Sequence, residues 1–62
     1  MKRYEKWDRA VMRKAEANKL GIFPELLVLE DSGEFLTVYA TTKDFSIKEI
    51  MIEREQLLKK YQ

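Results

Sequence analysis

The sequence predicts a small single-domain α+β protein in which two amphipathic helices flank a β-hairpin, in the order α-β-β-α. Apolar residues recur at helical spacing near both ends of the 62-residue chain. Between them, two β-rich segments flank a turn that contains a glycine. Because a chain this short buries little surface and contains no cysteine for disulfides, we expect dimerisation to complete its core.

The first predicted helix covers residues 4–19. Its apolar side chains recur every three or four residues, so they share one face of a helix. The residues on this face are Tyr4, Trp7, Val11, Ala15 and Asn18. Gly21 can adopt the left-handed conformation that ends a helix, and Pro24 prevents its continuation.

The predicted hairpin covers residues 25–41, with its turn at residues 31–33. Three loop residues that end in a glycine suit a turn closed by a left-handed residue. Alternation along the strands places two apolar sets on opposite faces. One set is Leu26, Val28, Leu36 and Val38, and the other is Leu27, Leu29, Phe35 and Tyr39.

The second predicted helix covers residues 47–61. Ser46 and Glu49 have the spacing of a capping box, and Phe45 and Ile50 occupy the two positions of a hydrophobic staple. The alternative interpretation is a third strand over residues 45–52 that precedes a shorter helix, since the isoleucines there also favour strands.

The two-sided apolar hairpin predicts a protein interface, because two helices on one side leave the other face uncovered. A homodimer is the simplest partner. The predicted interface residues are Leu27, Leu29, Phe35, Tyr39 and Ile52, the last on the far side of the second helix. In the alternative interpretation one helix covers each face, and the core is complete without a partner.

A basic face on the first predicted helix supports a different function, nucleic-acid binding by a dimer. Its residues are Lys2, Lys6, Arg9 and Arg13. Glu5 and Glu16 flank this face, so a simple solvated surface is the other interpretation. No glycine-rich loop or RNA-recognition motif accompanies the basic residues, and we therefore rank nucleic-acid binding second.

The composition argues against catalysis, because histidine and cysteine are both absent. We expect no catalytic residue, no metal site, no cofactor and no small-molecule substrate. Glu30, Asp31 and Glu34 cluster at the hairpin tip, where we expect water to surround them. Arg54 is expected to pair with a carboxylate such as Asp8, or to stack on Trp7.

The resulting functional hypothesis is a non-catalytic module that binds a protein target, as a regulator, an inhibitor or an assembly accessory. No apolar run approaches the ~20 residues that span a bilayer. We therefore expect a soluble cytoplasmic protein that does not associate with membranes.

Overall fold

The computed structural model describes residues 3–58, which form a four-stranded antiparallel sheet with one short helix. The strands lie side by side in chain order. The elements are strand β1 (Arg9–Val11), helix α1 (Lys14–Leu20), strand β2 (Ile22–Asp31), strand β3 (Phe35–Thr42), strand β4 (Ile47–Glu53) and a 3₁₀ turn (Arg54–Gln56). The predicted α-β-β-α fold with two flanking helices is therefore wrong.

The predicted hairpin is confirmed as the pair β2–β3. A three-residue loop, residues 32–34, joins the strands, and Gly33 in this loop has a positive φ of 100°. The set predicted to share one face is buried throughout: Leu26, Val28, Leu36 and Val38. The register shifts between Val28 and Glu30, which identifies a bulge at Leu29 that the sequence analysis did not predict.

The first predicted helix is wrong over residues 4–13, because this segment pairs with β2. The Trp7 amide donates to the Val28 carbonyl at 2.7 Å, and the Met12 amide donates to the Pro24 carbonyl at 2.9 Å. A short isolated helix is only marginally stable, so pairing with a neighbouring strand overrides its local propensity. Helix α1 begins only at Lys14.

The predicted end of that helix is confirmed. Gly21 follows the last helical residue with φ 69° and ψ 33°, and its amide donates to the Asn18 carbonyl at 3.1 Å. A residue with a side chain is strained in this left-handed conformation, so the glycine fixes where α1 stops and β2 starts.

The second predicted helix is also wrong, because residues 47–53 form β4. The alternative third strand over residues 45–52 matches this region. The predicted capping box does not form: Glu49 pairs with Tyr39 in the sheet, and the Ser46 carbonyl accepts from the Thr42 amide at 2.7 Å. A capping box forms instead at the 3₁₀ turn, between Glu53 and Gln56. The rest of the predicted helix, residues 59–61, lies outside the described residues.

The core lies on one side of the sheet, where α1 and the 3₁₀ turn pack. Gln56 ties these two elements together, since its side-chain amide donates to Glu16 Oε1 at 3.0 Å. The buried apolar residues are Ala10, Met12, Ala17, Ile22, Leu26, Val28, Leu36, Val38, Ala40, Ile52 and Leu57. All are 3% exposed or less within a single chain. A single chain therefore buries these side chains without a partner, and dimerisation stays a prediction.

Candidate functional site: an exposed face of the sheet

The side of the sheet opposite the core, called here the outer face, is not covered by the described residues. Arg9 pairs with Leu27, Leu27 with Tyr39, and Tyr39 with Glu49, so one row of side chains crosses all four strands. Opposite residues in antiparallel strands point to the same side. Leu27 is 38% exposed, whereas its neighbours Leu26 and Val28 are buried. The row therefore lies on the outer face.

Large apolar side chains stand exposed along β3 and β4 on this face. Phe35 is 44% exposed, Met51 is 67% exposed and Ile47 is 71% exposed. Together with Leu27 they span the three longest strands of the sheet. Single exposed apolar residues are ordinary, but several on one open sheet face are typical of an interaction surface.

Trp7 extends the apolar surface at the β1 edge. Its ring stacks on Tyr39 with centroids 6.3 Å apart, and Lys6 Nζ lies 5.3 Å from the centre of the Trp7 ring. The Trp7 backbone has a positive φ of 74°, a conformation that is unfavourable for a bulky residue. Local strain of this kind is found most often where a side chain must be held in place for binding. The side chain remains 56% exposed.

The charged residues on the outer face are mostly acidic. Strand alternation and register place four carboxylates there and one arginine, and Lys6 lies beside Trp7 at the margin. The carboxylates belong to Glu25, Glu30, Glu49 and Glu53. An apolar surface with acidic surroundings favours a partner whose contact surface is apolar with basic residues around it.

The structure brings together most of the predicted interface residues. Leu27 and Tyr39 are direct partners across β2 and β3, and Phe35 lies on the same side of β3. Leu29 lies in the bulge and is half-buried. The expected position of Ile52 on an exposed helix side is wrong: it pairs with Leu36 and is 2% exposed in the core.

The predicted basic helix face does not exist, because the residues that carry it are not helical. Lys6 precedes β1, Arg9 lies in β1 on the outer face, and Arg13 is exposed just before α1. Lys2 lies outside the described residues. Among the described residues of that predicted face, Lys6 and Arg9 therefore lie on the same side of the molecule as the aromatic pair Trp7 and Tyr39.

An ion pair at the hairpin tip is the main feature that the sequence analysis missed. Asp31 was expected to be solvated, yet its side chain is 2% exposed and pairs with Arg54, whose side chain is 10% exposed. Asp31 Oδ2 also accepts from the Tyr4 amide at 2.9 Å, and Oδ1 accepts from the Gly33 amide at 2.9 Å. Arg54 Nε donates to the Gly33 carbonyl at 2.6 Å.

These contacts determine the ionisation of Asp31. Burial alone would raise its pKa, but the hydrogen bonds from Arg54 and from the Gly33 and Tyr4 amides lower the pKa to about 2. The carboxylate is therefore fully charged near neutral pH. Arg54 does pair with a carboxylate, as expected, and that carboxylate belongs to Asp31.

Within residues 3–58, no group of three or more acidic, histidine or cysteine side chains could hold a metal ion. No helix in that range has the length and apolar character needed to cross a membrane. No protein-family model, no curated protein sequence and no solved structure matches this chain.

Proposed function

We propose that this chain is a non-catalytic protein-interaction module that binds a protein partner through the outer face of its sheet. The observation that carries the proposal is the row from Leu27 to Tyr39, extended by Phe35, Met51 and Trp7. Tyr39 is half-buried and the other four side chains stay exposed, although the same chain buries a core on its other side. Burial of such side chains against a partner is favourable at about 25 cal/mol per Å² of apolar surface.

Trp7 and Tyr39 are the anchors of this proposed interface. Aromatic residues are enriched among the side chains that contribute most to protein–protein binding. The stacking of Trp7 on Tyr39 orders both rings before a partner arrives, so less side-chain entropy is lost on binding. Tyr39 lies beside Leu27 in the row that crosses the sheet, and Trp7 extends this pair at the β1 edge.

The charge around the face defines the chemistry of the partner. Four carboxylates surround the apolar side chains, against Arg9 and the neighbouring Lys6. A protein with an apolar patch and basic residues around it is complementary in both respects. A regulator, an inhibitor or an assembly accessory would act by covering such a patch on its target.

Three carboxylates with clear pKa shifts are poor candidates for a general acid or base. Glu16, Asp31 and Asp44 have pKa values that shift clearly, and all three shift downward. A general acid or base needs a pKa near the working pH, which for a carboxylate requires an upward shift.

One observation favours a second candidate, the binding of single-stranded nucleic acid. Lys6 and Arg9 lie near the stacked pair Trp7 and Tyr39, and aromatic rings beside basic residues on a sheet can stack bases and contact phosphates. We rank it second, because the carboxylates on the same face would repel a phosphate backbone.

A capture experiment with matched leucine variants separates the two candidates. The immobilised chain is exposed to nuclease-treated extract of its source cells, and captured proteins are then purified and titrated. Leu27→Asp should weaken binding at least about 30-fold, the effect of losing a residue central to an interface. Leu20→Asp, which places the same charge on an exposed leucine of α1, should leave binding unchanged.

The proposal is overturned if both leucine variants bind equally well. It is also overturned if labelled single-stranded RNA or DNA homopolymers bind at physiological salt and Lys6→Glu with Arg9→Glu abolishes that binding. The second result would establish nucleic-acid binding. A steep loss of affinity with added salt would accompany it, since phosphate contacts release counterions.

A further inference from the structure

Strand β4 leaves its outer edge unpaired within the described residues, since the sheet order ends with β4. Its register against β3 runs without interruption from Ile47 to Glu53, and it contains neither proline nor glycine. The opposite edge, β1, has three residues only. Natural proteins commonly block open edges with bulges, prolines, short strands or charged side chains. Strand β4 has none of the first three, and its charged residues are Lys48, Glu49 and Glu53.

The hydrogen bonds at both ends of β4 show which backbone groups face the open edge. The Ser46 carbonyl accepts from Thr42, and the Arg54 amide donates to the Glu34 carbonyl at 2.8 Å, so even-numbered residues bond to β3. The backbone groups of Ile47, Glu49 and Met51 therefore point away from the sheet. The Glu53 amide, which also points outward, donates to Gln56 Oε1 at 2.9 Å.

We propose that two copies of this chain pair antiparallel through their β4 edges, about a two-fold axis at Ile50. Each copy would supply the same outward amides and carbonyls to the other, which is the self-complementary arrangement that a two-fold axis requires. The paired sheets would form one continuous eight-stranded sheet with a shared outer face. This inference uses the strand edge and is independent of the partner proposed above for the outer face.

Charge selects the axis at Ile50 over its neighbours. With the axis at Ile50, Glu49 of each copy lies opposite Met51 of the other, and Glu53 lies opposite Ile47. With the axis at Glu49, the two copies of Glu49 oppose each other directly. With the axis at Met51, Glu49 opposes Glu53 twice. Like charges directly opposite each other destabilise a strand pair. Of the three axes compared, at Glu49, Ile50 and Met51, the axis at Ile50 is the one that avoids this repulsion.

The inner side of the strand supports the same axis. Ile50 is half-buried and packs against the core of its own chain. At the axis it would meet Ile50 of the second copy, in a non-hydrogen-bonded pair where side chains approach most closely. The contact would extend each core across the interface. A strand edge covers less than the ~1,200 Å² of a typical stable complex, so we expect a dissociation constant of about 100 µM.

Analytical ultracentrifugation of the wild-type chain and two Met51 variants tests both the dimer and its register. With the axis at Ile50, Met51→Lys places a lysine opposite Glu49 twice and should tighten the dimer about threefold to tenfold. Met51→Glu places a carboxylate there and should weaken it by a similar factor. If both variants weaken the dimer, residue 51 faces itself and the proposed axis is wrong.

Met51→Pro provides an independent test, with Met51→Ala as its matched control. The Met51 amide faces the open edge, so proline should abolish the dimer without removing a hydrogen bond to β3. Alanine keeps the amide and should retain the dimer. Leu27→Asp should also retain it, because Leu27 lies in β2. A wild-type chain that stays monomeric up to about 1 mM overturns the inference and leaves the proposed function intact.

Discussion

Replacement of Asp31 by asparagine tests the importance of the ion pair at the hairpin tip. The substitution keeps the size of the side chain but removes its charge. Arg54, with a side chain only 10% exposed, would then lack the carboxylate that pairs with it. The asparagine amide would also place an N–H donor at one of the two oxygen positions where Asp31 now accepts from the Tyr4 and Gly33 amides. Loss of a buried partner in this way is strongly destabilising.

The magnitude follows from the pKa of Asp31. The folded chain holds it at about 2, against 3.8 for an unperturbed aspartate. A difference of that size corresponds to about 2 kcal/mol of stability. Because the folded pKa is the lower one, this contribution is complete above about pH 4 and is lost as the pH falls toward 2. A 62-residue domain typically has about 3–9 kcal/mol in total.

Urea melts at pH 7 and at pH 2.5, followed by circular dichroism, provide the measurement. At pH 7, Asp31→Asn should lower the free energy of unfolding by about 2–3 kcal/mol, which shifts the midpoint by about 2 M urea. At about pH 2.5 the difference between variant and wild type should shrink. The control is Glu34→Gln, an exposed carboxylate in the same loop. Equal stability of the two variants at pH 7 would refute the reasoning.

Four further substitutions test the fold. Gly21→Ala should cost about 1 kcal/mol in urea melts, because alanine is strained at φ 69° although its Cβ meets no neighbour; an unchanged midpoint would contradict the left-handed cap. Leu36→Ala should cost about 2–5 kcal/mol and unfold much of the chain, whereas Phe35→Ala, one residue earlier on the outer face, should cost less than about 1 kcal/mol; equal costs would mean that the assignment of faces is wrong. Ser46→Ala should change stability by less than about 0.5 kcal/mol, since Ser46 is exposed and caps no helix; a cost near 1 kcal/mol, typical of a helix cap, would argue against β4.

The parts of the fold that could be predicted are those with a local cause. Gly21 and Gly33 are needed where the backbone takes a positive φ, and both mark an element boundary from sequence alone. The alternation of Leu26 and Val28 with exposed neighbours likewise identifies the buried face of the hairpin. Such signals depend on the backbone geometry of a few residues, and distant contacts do not change them.

The prediction of two helices is wrong because the sequence of each segment is compatible with either a helix or a strand, and tertiary contacts decide between them. Ala10 and Met12 are buried while Arg9 is exposed, as the alternation of a strand requires. The same segment also has apolar residues at helical spacing, and that spacing predicts a helix. Short apolar segments such as Ile50–Ile52 fit either period, and pairing with β3 decides between them. The incorrect helix prediction for this segment also places Ile52 on the surface, whereas its side chain lies in the core.

The sequence does not predict the ion pair, but it does predict which side chains of the hairpin share the outer face. Asp31 pairs with Arg54 across 23 positions of sequence, and no local pattern connects residues that far apart. Leu27, Phe35 and Tyr39 were grouped correctly, because their grouping needs only the hairpin. The sequence predicts Trp7 on the apolar face of the first helix, but its segment is not a helix and its side chain is exposed.

The contacts of Asp31 have a consequence for the order of folding. They join the hairpin tip to Tyr4 at one end of the described chain and to Arg54 near the other. Because β3 lies between β2, which contains Asp31, and β4, which precedes Arg54, we expect these contacts to close late and to be largely absent from the transition state. Asp31→Asn should then leave the folding rate almost unchanged and accelerate unfolding. The contacts of Asp31 would therefore slow unfolding and lengthen the lifetime of the folded chain.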